Sequence, residues 1–335
     1  MAIKLSIAIP TYNGSRYVRE ALDSIISQLG YIDEEIEIVV SDNASTDKTP
    51  EIIRDYQNKY PFVKYFRNEE NLGADRNFDL AVRRSTGEYV WLFSDDDRLR
   101  SGAIKKVLSV LKQYNNLANI FVNYSVYNGD LTLCKDERAL RIYTDIHCKN
   151  ADAFFNSSKH SSIVASSNIV LRTLWLNTDV TEYFDTHWIH FGAISSFLIL
   201  NNSYTSYCIS DPLFILRQGE PKWIKQGTLL LYSVNLLNII TKIPQKGYAK
   251  ETVINLLRTI HRTFYVTIIS SKIDGLPYSF SLIHKIYKVF KSYPSFWIID
   301  LPLLFIPNIF YKVAYRVYKM KPFNKACKKL TSRTS

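Results

Sequence analysis

Glycine is scarce in this chain, with 11 in 335 residues. No Gly-x-Gly-x-x-Gly turn follows any strand-like run, which excludes the dinucleotide-binding turn of a nucleotide-sugar dehydrogenase. Four cysteines, Cys134, Cys148, Cys208 and Cys327, show no Cys-x-x-Cys spacing. Neither a zinc site nor a disulfide framework follows from them, and they suit a reducing compartment. No basic-then-apolar leader opens the sequence, since Met1-Ala2-Ile3-Lys4-Leu5 runs straight into a strand pattern. An unbroken apolar run of the ~20 residues needed to cross a bilayer is also lacking. Acids all but vanish from the C-terminal third: residues 221–335 hold 19 Lys and Arg against 3 Asp and Glu, an excess of +16, while residues 1–220 carry a net −5. Opposite charge on the two parts implies two jobs. A basic tail suits nucleic acid, anionic lipid or an acidic partner, but no recognition motif for nucleic acid accompanies it, so no nucleic-acid partner is expected.

What is present is apolar residues, 47% of the chain, enough for a large core. In the first third, strand and helix patterns alternate. Strands are expected at 5–10, 35–41, 62–66, 89–93 and 120–124, and helices at 17–28, 48–58, 74–84 and 103–113. Alternation of this kind implies a mostly parallel sheet with helices on both faces. Residues 125–160 read as irregular, 162–171 as a strand, 188–200 as a helix and 204–216 as strand-like. Beyond 226 the pattern is helical, at 229–240, 253–269 and 282–293. The expected domains are 1–220 and 221–335, with the boundary at 219–227 where composition changes.

The functional residues stand at the strand ends. The first strand ends Pro10-Thr11-Tyr12-Asn13-Gly14, and the second Ser41-Asp42-Asn43-Ala44-Ser45-Thr46-Asp47. The third leads into Asn71-Leu72-Gly73-Ala74-Asp75-Arg76-Asn77, and the fourth ends Ser94-Asp95-Asp96-Asp97. In a parallel sheet these ends converge on one rim, where open α/β sheets bind ligands. Three adjacent carboxylates repel one another, and a hard divalent cation, Mg²⁺ or Mn²⁺, relieves that repulsion.

Taken in order, these phrases resemble the family-2 glycosyltransferases of the GT-A fold, firmly over 3–125 and loosely to 220. Within that family they are most similar to bacterial O-antigen sugar transferases of the abequosyltransferase type, through Ser41–Asp47 and Asn71–Phe78. The resemblance implies transfer of a sugar from a nucleotide-diphosphate donor to an acceptor hydroxyl. It implies donor contacts at Pro10, Thr11, Tyr12, Asn13, Asp42, Asn43, Asn71, Arg76, Asp95 and Asp96, with Asp42 toward the base and Arg76 toward the nucleotide. Mn²⁺ or Mg²⁺ would sit on Asp97 and Asp95. The family's usual Glu-Asp base pair is missing. His190 occupies the matching register, and Asp185 is the second candidate for the catalytic base; both stay open.

The resemblance further implies a lipid-linked oligosaccharide acceptor of an O-antigen or capsule repeat. The site of action would be the cytoplasm, peripheral on the cytoplasmic face of the bacterial inner membrane. The run 296–311, broken by Pro302 and Pro307 and followed by Lys312, Arg316, Lys319 and Lys321, fits an anionic membrane surface. So does 282–293, with Lys285, Lys288 and Lys291 along one helical edge and Ile283, Ile286, Tyr287 and Phe290 beside it. Packing of the tail on the catalytic part or within a homo-oligomer is the competing expectation. A sugar nucleotidyltransferase is the rival enzyme, disfavoured by the missing Gly-rich first loop. A nucleotide-sugar-binding protein without turnover is the other rival.

Overall fold

The apolar run Leu5–Thr11 forms strand β1, buried along its length on both sides, as a central parallel strand must be. The structure, a computed structural model, describes residues 2–30, 35–201, 203–218, 228–273, 275 and 278–319. The boundary segment 219–227 and Lys321 lie outside the described residues. After β1 come α1 (Val18–Ile26), β2 (Ile36–Asp42), α2 (Thr49–Lys59), β3 (Val63–Arg67), α3 (Ala74–Arg84) and β4 (Tyr89–Leu92). Then follow β5 (Arg98–Leu99), α4 (Ala103–Gln113), β6 (Leu117–Asn128), β7 (Cys134–Asp136), β8 (Ile146–Cys148) and α5 (Ala151–Ser158). β9 (Asn168–Leu171), α6 (Arg172–Leu176), α7 (Ile189–Leu200) and β10 (Thr205–Gln218) complete the sheet region.

The main path of the sheet runs β3-β2-β1-β4-β9-β6-β10-β5. β1 is parallel to β2 and β4, and β2 to β3, so the first four strand ends share one rim as expected. Beyond β4 the sheet is mixed rather than mostly parallel. β9 runs antiparallel to both β4 and β6, while β10 returns parallel to β6. The strand expected over 162–171 is short because its Ser-rich start turns on itself. Ser167 Oγ donates to Val164 O at 2.7 Å and Asn168 Nδ2 to Ser162 O at 2.9 Å, local bonds that compete with a ladder.

The chain divides into two compact units, Met1–Gly219 with Lys242–Leu256, and Glu220–Thr241 with Leu257–Ser335. The segment Lys242–Leu256 therefore goes with the sheet, not with the tail as the division at 220 had it. Its anchors are specific. Lys246 Nζ donates to Glu182 Oε1 and Tyr183 Oη, both at 2.8 Å. Asp152 accepts from Thr252 Oγ1 at 2.5 Å and from Ala249 N at 3.1 Å, capping the next helix.

The tail is helical, with α8 (Thr228–Lys242), α9 (Lys250–Ile273), α10 (Phe280–Phe290), α11 (Leu301–Phe305) and α12 (Asn308–Lys319). In the second unit, α10 buries Leu282, Ile286 and Phe290. The Phe290 ring lies 4.8 Å from Phe264 and 4.7 Å from His261. Ile286 and Phe290 of the expected apolar edge are therefore packed on protein, while Lys285 and Lys288 stay exposed.

Candidate active site

The rim is assembled from loops that lock one another. Asn43 N donates to Thr11 O at 2.9 Å, tying the ends of β1 and β2. Asn13, in the left-handed region at φ 52°, accepts at Oδ1 from Thr46 N at 2.8 Å, and its own N–H donates to Ser45 Oγ at 2.9 Å. Behind them lies a network of amides. Asn43 Nδ2 donates to Asn71 Oδ1 at 2.7 Å, and Asn43 Oδ1 accepts from Asn68 Nδ2 at 2.9 Å and Leu72 N at 3.0 Å. Asn77 Nδ2 donates to Ser41 O at 2.8 Å, so α3 is stitched to β2 through the residue next to Arg76. Asn43 and Asn71 thus shape the rim, and Tyr12 is exposed beside it.

Asp42 is fully buried. Its Oδ1 accepts from Ser45 N at 2.9 Å and Ser45 Oγ at 2.5 Å, its Oδ2 from Tyr65 Oη at 2.7 Å, and Arg67 Nε stands 3.5 Å away. Tyr65 and Arg67 therefore lie beside the carboxylate expected to face the base. Burial and the Asp42 carboxylate push the Tyr65 hydroxyl well up, so it stays a donor.

The acidic triplet divides its labour. Asp95 Oδ2 accepts a short hydrogen bond from Thr11 Oγ1, which joins the ends of β4 and β1. A Cβ at Gly14 would collide with both partners, so glycine is required there by close approach. Asp96 Oδ1 accepts from Ser94 Oγ at 2.6 Å. Asp97 is buried, with Oδ2 accepting from Ser166 Oγ at 2.6 Å and Oδ1 from the Arg217 backbone N–H at 3.1 Å. Burial first, then the charges of Asp96 and Asp95, push its carboxyl well above the usual range. A proton or a cation has to answer that accumulated charge.

Two residues of this centre escaped the sequence reading. Ser166 sits in a Ser-rich stretch that looked like strand. Arg217 closes β10 with its side chain 3% exposed: Nε donates to Asp96 O at 2.8 Å, Nη1 to Gly129 O at 2.7 Å and Nη2 to Glu20 Oε2 at 2.7 Å, and the guanidinium lies 4.2 Å from the Tyr17 ring centroid. The available signal was one arginine at the end of the apolar run Leu213–Leu216.

The two base candidates have opposite environments. α7 is buried on every side from Ile189 to Leu198, and His190 lies one residue into it, 5% exposed. Its Nε2–H donates to Ile163 O at 2.7 Å, while Nδ1 is buried and has no hydrogen-bond partner among the described residues. Burial pulls its pKa down to about 4, so the ring is neutral and sealed. A proton acceptor for an incoming hydroxyl needs an accessible nitrogen, whereas here Nε2 is bonded and Nδ1 is buried. Asp185 is exposed, at φ 64°, in a loop where His187 also has a positive φ of 67°. The loop is held by Asp75 of α3, whose carboxylate accepts from His187 N at 2.7 Å and Ile189 N at 3.3 Å. Asp75 thereby caps α7 from another helix, and burial raises its pKa. Asp185 meets Arg76 in a bidentate ion pair, with Arg76 also stacked 4.7 Å from the Phe184 ring.

The profile described as glycosyl transferase family 2 matches residues 6–176. The chain is 34% identical over 263 residues to the abequosyltransferase RfbV of Salmonella typhimurium, covering 74% of this chain and 76% of that one. It is 32% identical over 121 residues to the GalNAc(5)-diNAcBac-PP-undecaprenol beta-1,3-glucosyltransferase of Campylobacter jejuni, covering 36% and 38%. Among solved structures, TarS 1–349 of S. aureus in complex with UDP-GlcNAc superposes with a TM-score of 0.63 at 16% identity, over 94% of this chain and 92% of that one. The mannosyltransferase PcManGT of Pyrobaculum calidifontis, in complex with GDP-Man and Mn²⁺, gives 0.54 at 15%, over 93% and 88%. These likenesses establish a GT-A-like α/β fold followed by a helical C-terminal region.

Proposed function

The chain belongs to glycosyl transferase family 2, and from that premise we propose that it moves a hexosyl or deoxyhexosyl group from a nucleoside-diphosphate donor to a lipid-linked oligosaccharide of an O-antigen or capsule repeat, at the cytoplasmic face of the bacterial inner membrane. The observation that carries the reading is the junction of Thr11, Asp95, Asp97 and Arg217 at the shared rim, in a chain so similar to an abequosyltransferase.

The donor set suits a divalent cation. Asp95–Asp97 supply hard oxygens that repel one another, and among the described residues no ion pair falls on Asp97. Among the described residues no three acidic, His or Cys side chains form a complete cage. Mg²⁺ and Mn²⁺ are commonly held by one or two carboxylates with substrate phosphate oxygens and water completing the shell. Asp95 and Asp97 would hold the ion, which would neutralise charge growing on the departing diphosphate.

The protein's own groups do the rest. Asp42, with Tyr65 and Arg67, offers the nucleoside end a polar wall. Arg76 suits bidentate contact with a phosphate or carboxylate. Asp185, the exposed carboxylate at the rim, takes the acceptor hydroxyl's proton as the acceptor oxygen bonds to the sugar's anomeric carbon and the bond to the diphosphate breaks. Arg217 holds the loop carrying Asp96 and Asp97 in place. The test is release of nucleoside diphosphate from a panel of nucleotide sugars, with Mn²⁺ and an undecaprenyl-diphosphate-linked acceptor. Acceptor-dependent release supports transfer. Binding of a donor without release under any pairing would make the chain a binding protein.

A further inference from the structure

The second unit spends its apolar residues unevenly. In the segment 296–316, Phe296, Asp300 and Leu304 form one buried stripe at helical spacing. On the other sides stand Trp297, Ile298, Phe305, Ile309, Phe310 and Val313, each 48–76% exposed. An apolar surface of this kind marks an interaction site. The arms Phe296–Phe305 and Asn308–Arg316 meet at 93°, and among the described residues no single helix is long and apolar enough to cross a membrane. At 1.5 Å per residue each arm is roughly 15 Å long, about half of a ~30 Å hydrocarbon core.

Three details say what covers this face. Asp300, the single acid in 296–316, is turned inward, its Oδ2 2.7 Å from His261 Nε2. Three carbonyls at the corner between the arms are paired by side chains: Lys272 Nζ donates to Leu304 O at 2.7 Å and Ile306 O at 3.0 Å, and Tyr311 Oη donates to Leu303 O at 2.9 Å. Irregular backbone enters a lipid phase only when its carbonyls are paired in this way. Exposed cations accompany the face, Lys312 and Arg316 on the second arm, Lys285 and Lys288 on α10, and Lys291 just past its end. A protein partner would be indifferent to the hidden acid and the paired corner; an anionic leaflet requires the first and rewards the second.

We propose that the bent pair is a monotopic wedge that enters one leaflet of an anionic bilayer, with the basic residues at the headgroups. The inference deepens the membrane-face reading above and rests on it for its purpose, which is to hold the enzyme where a lipid-linked acceptor lies. The depth of entry separates it from simple surface attraction, which salt screens.

The test uses the full chain and vesicles of phosphatidylethanolamine and phosphatidylglycerol that contain neither donor nor acceptor. Wild-type protein is expected to float with them at 0.1 M and still at 1 M salt. Its fluorescence is expected to be quenched by acyl-brominated lipid, with Trp297→Phe losing most of the quenching. The double variant Ile298→Asp, Phe310→Asp should bind at least tenfold more weakly. Its thermal melt and its nucleotide-sugar binding should be unchanged, which separates lost insertion from lost folding. Binding abolished by 1 M salt, equal binding by the double variant, or absent flotation with a dimer that the double variant breaks would each overturn the wedge. Because these vesicles carry no substrates, flotation stands or falls independently of sugar transfer.

Discussion

Arg76 and Asp185, 109 residues apart in sequence, meet through two parallel hydrogen bonds, Nη1 to Oδ1 at 2.6 Å and Nη2 to Oδ2 at 3.2 Å. The pair is exposed, so its value lies in geometry rather than in stability. The Arg76 guanidinium holds the Asp185 carboxyl below the usual carboxylate range. A donor diphosphate that draws Arg76 away would return basicity to Asp185 when it is needed. Asp185→Asn is therefore expected to lower kcat by roughly 10²–10⁴ with donor affinity little changed. Arg76→Ala should weaken nucleoside-diphosphate binding, and should move the acid limb of the kcat/KM profile upward, toward the ordinary carboxylate range. Equal profiles in the two proteins would remove the coupling.

Asp97→Asn keeps an acceptor for the Arg217 N–H but removes the charge. Turnover should fall about 10²–10³-fold, the usual worth of one electrostatic stabiliser, with an unchanged circular-dichroism spectrum. Wild-type activity should vanish in EDTA and return with Mn²⁺ or Mg²⁺. Full activity in excess chelator would end the metal reading.

Gly14→Ala places a methyl group against the Asp95 carboxylate and the Thr11 hydroxyl. Overpacking of this kind costs about 1–3 kcal/mol, and here it also pushes apart two residues of the rim. Activity should drop more steeply than stability, as read by turnover beside urea melts. A fully active variant would show that the Thr11–Asp95 bond is dispensable.

His190 carries a pH signature of its own. Its folded pKa of about 4 lies below the ordinary value of 6.5, so the unfolded chain binds the extra proton between them. Stability is then full above pH 6.5 and lost as pH falls toward 4, by about 3 kcal/mol from this residue. Burial lowers His160 and His187 in the same sense. His190→Gln should flatten the loss between pH 7 and pH 5 in denaturant melts while leaving turnover within a few-fold. A turnover loss of 10² or more would restore it to the chemistry.

The alternating strands and helices of the first third were legible because apolar periodicity is a local property, and the parallel half of the sheet follows from it. The antiparallel insertion of β9 was not, since Asn168–Leu171 is only four residues long and its place between β4 and β6 is decided by tertiary pairing. The rim motifs could be read because Asp, Asn and Gly stand out after apolar runs. Ser166 and Arg217 could not be placed without the fold. The register that favoured His190 could not show its burial: α7 is buried from Ile189 to Leu198, while Asp185 in the loop before it is exposed. In the tail, composition found the basic and apolar character, yet only packing reveals which helix keeps its apolar face free.

The amide lattice of Asn43, Asn68, Asn71 and Asn77 has one further implication. Carboxamides do not titrate, so these side chains keep the same hydrogen bonds as pH changes, and the Arg84 guanidinium is tied into them, Nη2 donating to Asn68 Oδ1 at 2.8 Å. The ion pair of Arg76 and Asp185, by contrast, is exposed, and both salt and acid can change its partners. Salt and acidity should therefore tune that outer pair while leaving the hydrogen bonds among the amides unaltered.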